Sequence, residues 1–119
     1  KTHRAELEKT RWKEYEDRWT HITSPEGASE VLTFETVPWP MLLPPRVVDD
    51  VRPARIAMFV LSAQHSEGQS MKDRVKSALR RWHPDRFSRL LVRVSEGDRE
   101  KVEEAAGIVA RCLSNLLER

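Results

Sequence analysis

Arg80-Arg81-Trp82-His83-Pro84-Asp85-Arg86-Phe87 decides how this chain is read. Proline lacks an N–H and crowds the turn before it, so a helix ends or bends just ahead of Pro84. The stretch therefore predicts a helix that starts near Ser70 and closes at Trp82. His83 and Asp85 then stand on an exposed turn flanked by arginines. An imidazole and a carboxylate in that setting mark a contact point for a partner. The bland alternative is a capped turn. In it Asp85 accepts backbone N–H bonds at the start of the next helix, and Pro84 only ends the one before.

Reading back from His83, the apolar residues are Trp82, Leu79, Ala78, Val75 and Met71. Spacings of three and four put them on one helix face. The other faces carry Lys72, Arg74, Lys76, Arg80 and Arg81. From Met71 to Val94 eight Lys or Arg stand against Asp73 and Asp85. Such a patch suits an acidic protein surface or a nucleic-acid backbone, or is an ordinary solvated helix face. RNA readout wants exposed aromatics beside the charges. The spacing of Trp82 and Phe87 points them inward, so RNA is the less favoured partner.

Three segments follow from the rest of the chain. Residues 1–22 read as an amphipathic helix with Trp12, Tyr15, Trp19 and Ile22 as its stripe. Glu14 and Arg18, four apart, can pair along it. The stripe either docks on the rest of the domain or offers a second partner surface through Trp12, Tyr15 and Trp19. Docking is favoured, because large apolar surfaces are usually covered in compact domains. Residues 23–52 read as extended. Leu32 and Phe34 share one face of a strand-like alternation. Pro38, Pro40, Pro44 and Pro45 then hold the chain in a polyproline-like path through Trp39. This segment is expected to lie on the helices as a belt pinned by Trp39, rather than serve as a free proline-rich ligand. Residues 53–119 read as helical. Pro53 opens a helix to about His65, and Ser70 caps the next. Arg86–Val94 forms a short helix, and a last one spans Asp98–Leu117. Ala105 and Ala106 let that last helix approach the Met71–Trp82 helix closely.

The 119 residues carry a formal charge of +2 and hold one cysteine, Cys112. No internal disulfide or thiolate-rich metal site is then expected, and Cys112 reads as a small core residue. No apolar run reaches the roughly 20 residues that cross a bilayer, and no secretory signal is visible. A nuclear or cytoplasmic, reducing setting fits. His3, His21, His65 and His83 show no ligand spacing, so no metal or cofactor is expected. No nucleophile motif or phosphate loop stands out, which speaks against an enzyme.

The helix-to-turn sequence resembles the second helix and His-Pro-Asp loop of J domains, the DnaJ-type co-chaperone module. Trp82, His83, Pro84, Asp85 and Arg86 match that pattern in place. Met71, Val75, Ala78 and Leu79 match in character. There are departures. Ile56–Leu61 lacks the usual first-helix signature. Asp73 and Ser77 stand where J domains tend to be basic, and Phe87 where asparagine is common. Together with Leu32-Thr33-Phe34-Glu35-Thr36-Val37-Pro38-Trp39-Pro40, the motif looks closer to the C-terminal region of the NF-kappa-B inhibitor-like proteins and related fungal J-like proteins. The resemblance implies a mostly α fold: a J-like helical hairpin with extra helices and the Pro/Trp-rich segment packed on it. It implies a non-enzymatic interaction module, a nuclear adapter linked to pre-mRNA processing or NF-kappa-B-type regulation. The alternative it implies is an active co-chaperone of a DnaK-type ATPase. A basic RNA-binding domain is the third reading. The partner surface would comprise His83, Pro84, Asp85, Lys72, Arg74, Lys76, Arg80, Arg81 and Arg86.

Overall fold

Proline and serine set the helix starts. Pro53 occupies the first turn of one helix, where its missing N–H costs nothing, and the Ser70 Oγ accepts the Asp73 N–H at 3.1 Å to cap another. The computed structural model describes residues 2–118. Its helices are α1 (Thr2–Ile22), α2 (Pro53–Val60), α3 (Met71–Trp82), α4 (Pro84–Leu91) and α5 (Arg99–Leu117). Single 3₁₀ turns lie at Pro25–Gly27, Val48–Asp50 and Glu96–Asp98. The fold is mostly α. Among the described residues extended chain pairs only in one parallel bridge, Leu32 to Val94.

α5 is the helix on which α2, α3 and α4 pack. Its buried face is Val102, Ala105, Ala106, Val109, Ala110, Cys112 and Leu113. The small residues let α3 lie close, as their size predicts, and Cys112 is a core residue. The core also draws on the two preceding segments, through Tyr15, Trp19 and Ile22 of α1 and Leu32, Phe34, Val37, Trp39 and Met41 of the extended stretch.

Trp82 is the centre. It is fully buried, stacks on Trp39 at 5.3 Å and Phe87 at 5.1 Å, and meets Trp19 edge-on at 5.3 Å. Its indole N–H donates to the Tyr15 hydroxyl at 3.2 Å. Trp39 donates to the Phe34 carbonyl at 2.8 Å and Trp19 to the Pro38 carbonyl at 3.1 Å. All three buried indoles thus find a partner, as such groups must. Trp39 is the pin of the belt.

Several boundaries differ from the sequence reading. α2 stops at Val60 rather than near His65. His65 folds back beneath it and bonds the Phe59 carbonyl at 2.7 Å. Ser66 at φ 55° and Gly68 at φ 88° reverse the chain there. α4 begins at Pro84, not Arg86, because His83 takes the cap. Met71, at the first position of α3, is 65 % exposed instead of buried. The Glu14–Arg18 pair does not form. Arg18 reaches Glu30 at 3.0 Å, and Glu14 pairs with Arg11.

Acid should destabilise this fold in two steps. Burial lowers the pKa of His65. A folded pKa below the unfolded value means stability is lost as pH falls below about 6.5. Hydrogen bonds hold four carboxyls below their usual range: Glu8 by Ser62 and Arg4, Glu30 by Arg18, Asp50 by the Arg46 and Val47 N–H groups, and Asp98 by the Phe34 N–H. Their contribution is present above about pH 4 and lost as pH falls through the folded values. Denaturant midpoints taken at about pH 7.5, 5.5 and 3.5 should fall at each step. His65→Gln should flatten the first step and keep the second.

Candidate partner-binding surface

One residue, His83, joins α3 to α4. Its N–H donates to the Leu79 carbonyl at 2.9 Å and so ends α3. Its carbonyl accepts the Arg86 and Phe87 N–H groups, both at 2.9 Å, and so starts α4. The Nδ1 accepts the Asp85 N–H at 3.2 Å, which places the proton of the neutral ring on Nε2. His83 is therefore the N-cap that the bland sequence reading gave to Asp85. Pro84 lies at the first helical position, so Asp85 falls inside the first turn. There its charge is favourable to the helix dipole. The Asp85 side chain is 92 % exposed, with Oδ2 4.0 Å from His83 Nδ1.

Beside this turn lies a shallow cleft of about 340 Å3, lined by Lys76, Leu79 and Arg80 of α3 and by His83, Asp85 and Arg86. Lys72 is also exposed, one turn back along α3. Leu79 gives the cleft an apolar strip. The charged groups around it are three cations, one carboxylate and an imidazole whose Nε2 is left to a partner. Such an arrangement suits an acidic, partly apolar protein surface. It lacks the pairing of nucleophile and oriented base that covalent catalysis needs.

Two residues of the anticipated surface point inward. Arg81 makes a two-pronged bond to Glu16 of α1 at 2.8 and 2.9 Å, with its guanidinium over the rings of Tyr15 and Trp19. Burial works against its charge, and the Glu16 carboxylate and the Tyr15 phenol together more than offset this, so its pKa lies above the usual arginine value. Arg74 donates to the Ser62 and Ser66 carbonyls and holds the loop between α2 and α3. These two arginines build the fold rather than the surface. Lys72, Lys76, Arg80 and Arg86 remain exposed with the turn.

The stripe of α1 docks in cis. Tyr15 and Trp19 are about 5 and 4 % exposed, so they are core and cannot serve as a second partner surface. Trp12 is half-buried and stacks face to face on His65, with centroids 3.4 Å apart and planes 2° from parallel. Phe87 is buried with Trp82, so neither offers a base a stacking platform beside the basic patch. Among the described residues no group of three or more His, Cys, Asp or Glu is placed to hold a metal ion.

Sequence reasoning missed Glu16, His65 and Arg93. Glu16 lies 65 positions from Arg81, and Arg93 reaches the Ile22, Gly27 and Glu30 carbonyls across similar separations. No local pattern signals such pairs. No protein-family model, no curated protein and no solved structure matches this chain.

Proposed function

We propose that this chain is a non-enzymatic, J-like protein-interaction module whose contact surface is the His83-Pro84-Asp85 turn with Lys72, Lys76, Arg80 and Arg86. The observation that carries the reading is the separation of roles along α3. Arg74 and Arg81 are committed to the fold, whereas Lys76, Arg80 and Arg86 stay exposed around one cleft beside the turn. By resemblance, the setting is a nuclear adapter linked to pre-mRNA processing or NF-kappa-B-type regulation.

The second reading is a working co-chaperone. It is favoured by the exposed imidazole of His83 and carboxylate of Asp85, the groups that J domains present to their chaperone. Single-turnover ATP hydrolysis by a DnaK-type chaperone separates the two. Stimulation by wild type that His83→Gln abolishes, with helicity unchanged, assigns the co-chaperone role. No stimulation by either form leaves the adapter. Stimulation that His83→Gln does not alter removes the turn from both readings.

A further inference from the structure

A second cleft, of about 530 Å3, lies between α1 and α3. Its walls include Arg74, Arg80, Arg81 and Glu16, together with Gln69 and Ser77. Arg80 is the residue that this cleft shares with the one beside the His83 turn. The charges do not balance. Glu16 is held by Arg81 through both oxygens. Arg74 is part-buried, and both its terminal nitrogens meet neutral carbonyls. Its Nε is buried with no hydrogen-bond partner. Among the described residues Arg80 bonds only the Ser77 hydroxyl, at 3.2 Å.

A part-buried cation without a counter-charge is costly, and an anion that enters beside it relieves that cost. The cleft also supplies uncharged donors, the Gln69 amide and the Ser77 hydroxyl. His65 on its wall is kept neutral by burial and adds no charge of its own. Arginine forks match tetrahedral oxyanions in geometry as well as charge. A phosphate monoester carries about −1.5 to −2 near pH 7, which answers the excess. The Glu16 carboxylate opposes an anion, and its two-pronged bond to Arg81 limits that repulsion. We infer that the α1–α3 cleft is a phosphate-monoester site, in which Arg80, Gln69 and Ser77 contact the phosphate oxygens and Arg74 supplies the field. The cleft is large enough to hold a phosphoserine side chain with its backbone, so the phosphate can arrive on a peptide or free.

Amide-shift mapping of the full chain at constant ionic strength tests this. The probes are inorganic phosphate, a phosphoserine peptide, and the same peptide unphosphorylated. Saturable shifts at Gln69, Ser77 and Arg80 are expected with both phosphate probes and none with the bare peptide. Arg80→Gln should weaken binding by roughly tenfold or more, the value of a lost charge-assisted pair. Gln69→Leu should weaken it less. Tighter binding of the phosphopeptide makes the source a modified protein, and equal affinity makes it the free anion. His83→Gln should leave phosphate binding intact, whereas it strikes the J-like reading, so the two can fail separately. Absence of saturable shifts at the cleft overturns the inference. So does an affinity unmoved by Arg80→Gln.

Discussion

Trp82→Ala should cost about 3–5 kcal/mol, the range for removing a large aromatic from a core. Domains of this kind have about 5–15 kcal/mol in all, so the variant is expected to lose a large share of its stability. The reason lies in how many elements meet at one side chain. Trp82 closes α3, yet its ring touches Trp19 of α1, Trp39 of the belt and Phe87 of α4. Deleting it opens a cavity shared by four elements, and removes the indole donor from the buried Tyr15 hydroxyl. Burial already pushes the Tyr15 phenol up, so it stays neutral and needs a hydrogen-bond partner. Trp82→Phe is the graded control. It keeps most of the volume, loses the N–H, and should cost about 1–3 kcal/mol. Urea midpoints read both. A small loss in Trp82→Ala would mean the aromatic cluster is not the keystone.

Arg93→Met should have the next largest effect, about 2–4 kcal/mol, with helicity retained in α3 and α5. Methionine keeps the apolar stem and removes only the guanidinium. That group donates to the Ile22 carbonyl at 2.7 Å, to the Gly27 carbonyl, and to the Glu30 carbonyl at 3.4 Å. The last turn of a helix leaves carbonyls without intrahelical partners, and Ile22 ends α1. Arg93 thus ties the end of α1 to the segment after α4. Gly27 allows the tie, since a Cβ there would lie 2.2 Å from the His21 carbonyl oxygen. Hydrogen exchange should quicken first between Thr23 and Glu30. A loss under about 1 kcal/mol would mean water replaces the guanidinium at these carbonyls.

What was legible in the sequence was local. The period of Val75, Ala78, Leu79 and Trp82 and the cap at Ser70 fix α3 within a residue, and the Ala105–Ala106 pair foretells its packing on α5. Trp39 reads as a pin because prolines surround it. The docking of α1 stayed open, since an amphipathic stripe does not name what covers it. The rest depends on side chains that reach across the chain. The end of α2 is set by His65 and Arg74 returning to its last carbonyls and the loop beyond them, which no periodicity carries. The exposed surface reads as larger than it is for the same reason. Arg74 and Arg81 look like their neighbours in sequence, and only Ser62, Ser66 and Glu16 distinguish them. His83 reads as exposed in the sequence and is exposed in the fold. Its part as the N-cap of α4 was hidden, because a histidine is a rare cap beside serine or aspartate.

That dual part of His83 sets the most direct test of the turn as a contact surface. Asparagine caps helices well, so His83→Asn should keep α4 and the denaturant midpoint while removing the imidazole. A photo-crosslinking amino acid in place of Arg89, exposed one turn further along α4, then reports what meets the turn in cells. The proposed function requires one dominant adduct in the His83 background, lost with His83→Asn at unchanged stability. The same adduct in both backgrounds would contradict it and reduce His83-Pro84-Asp85 to a helix cap.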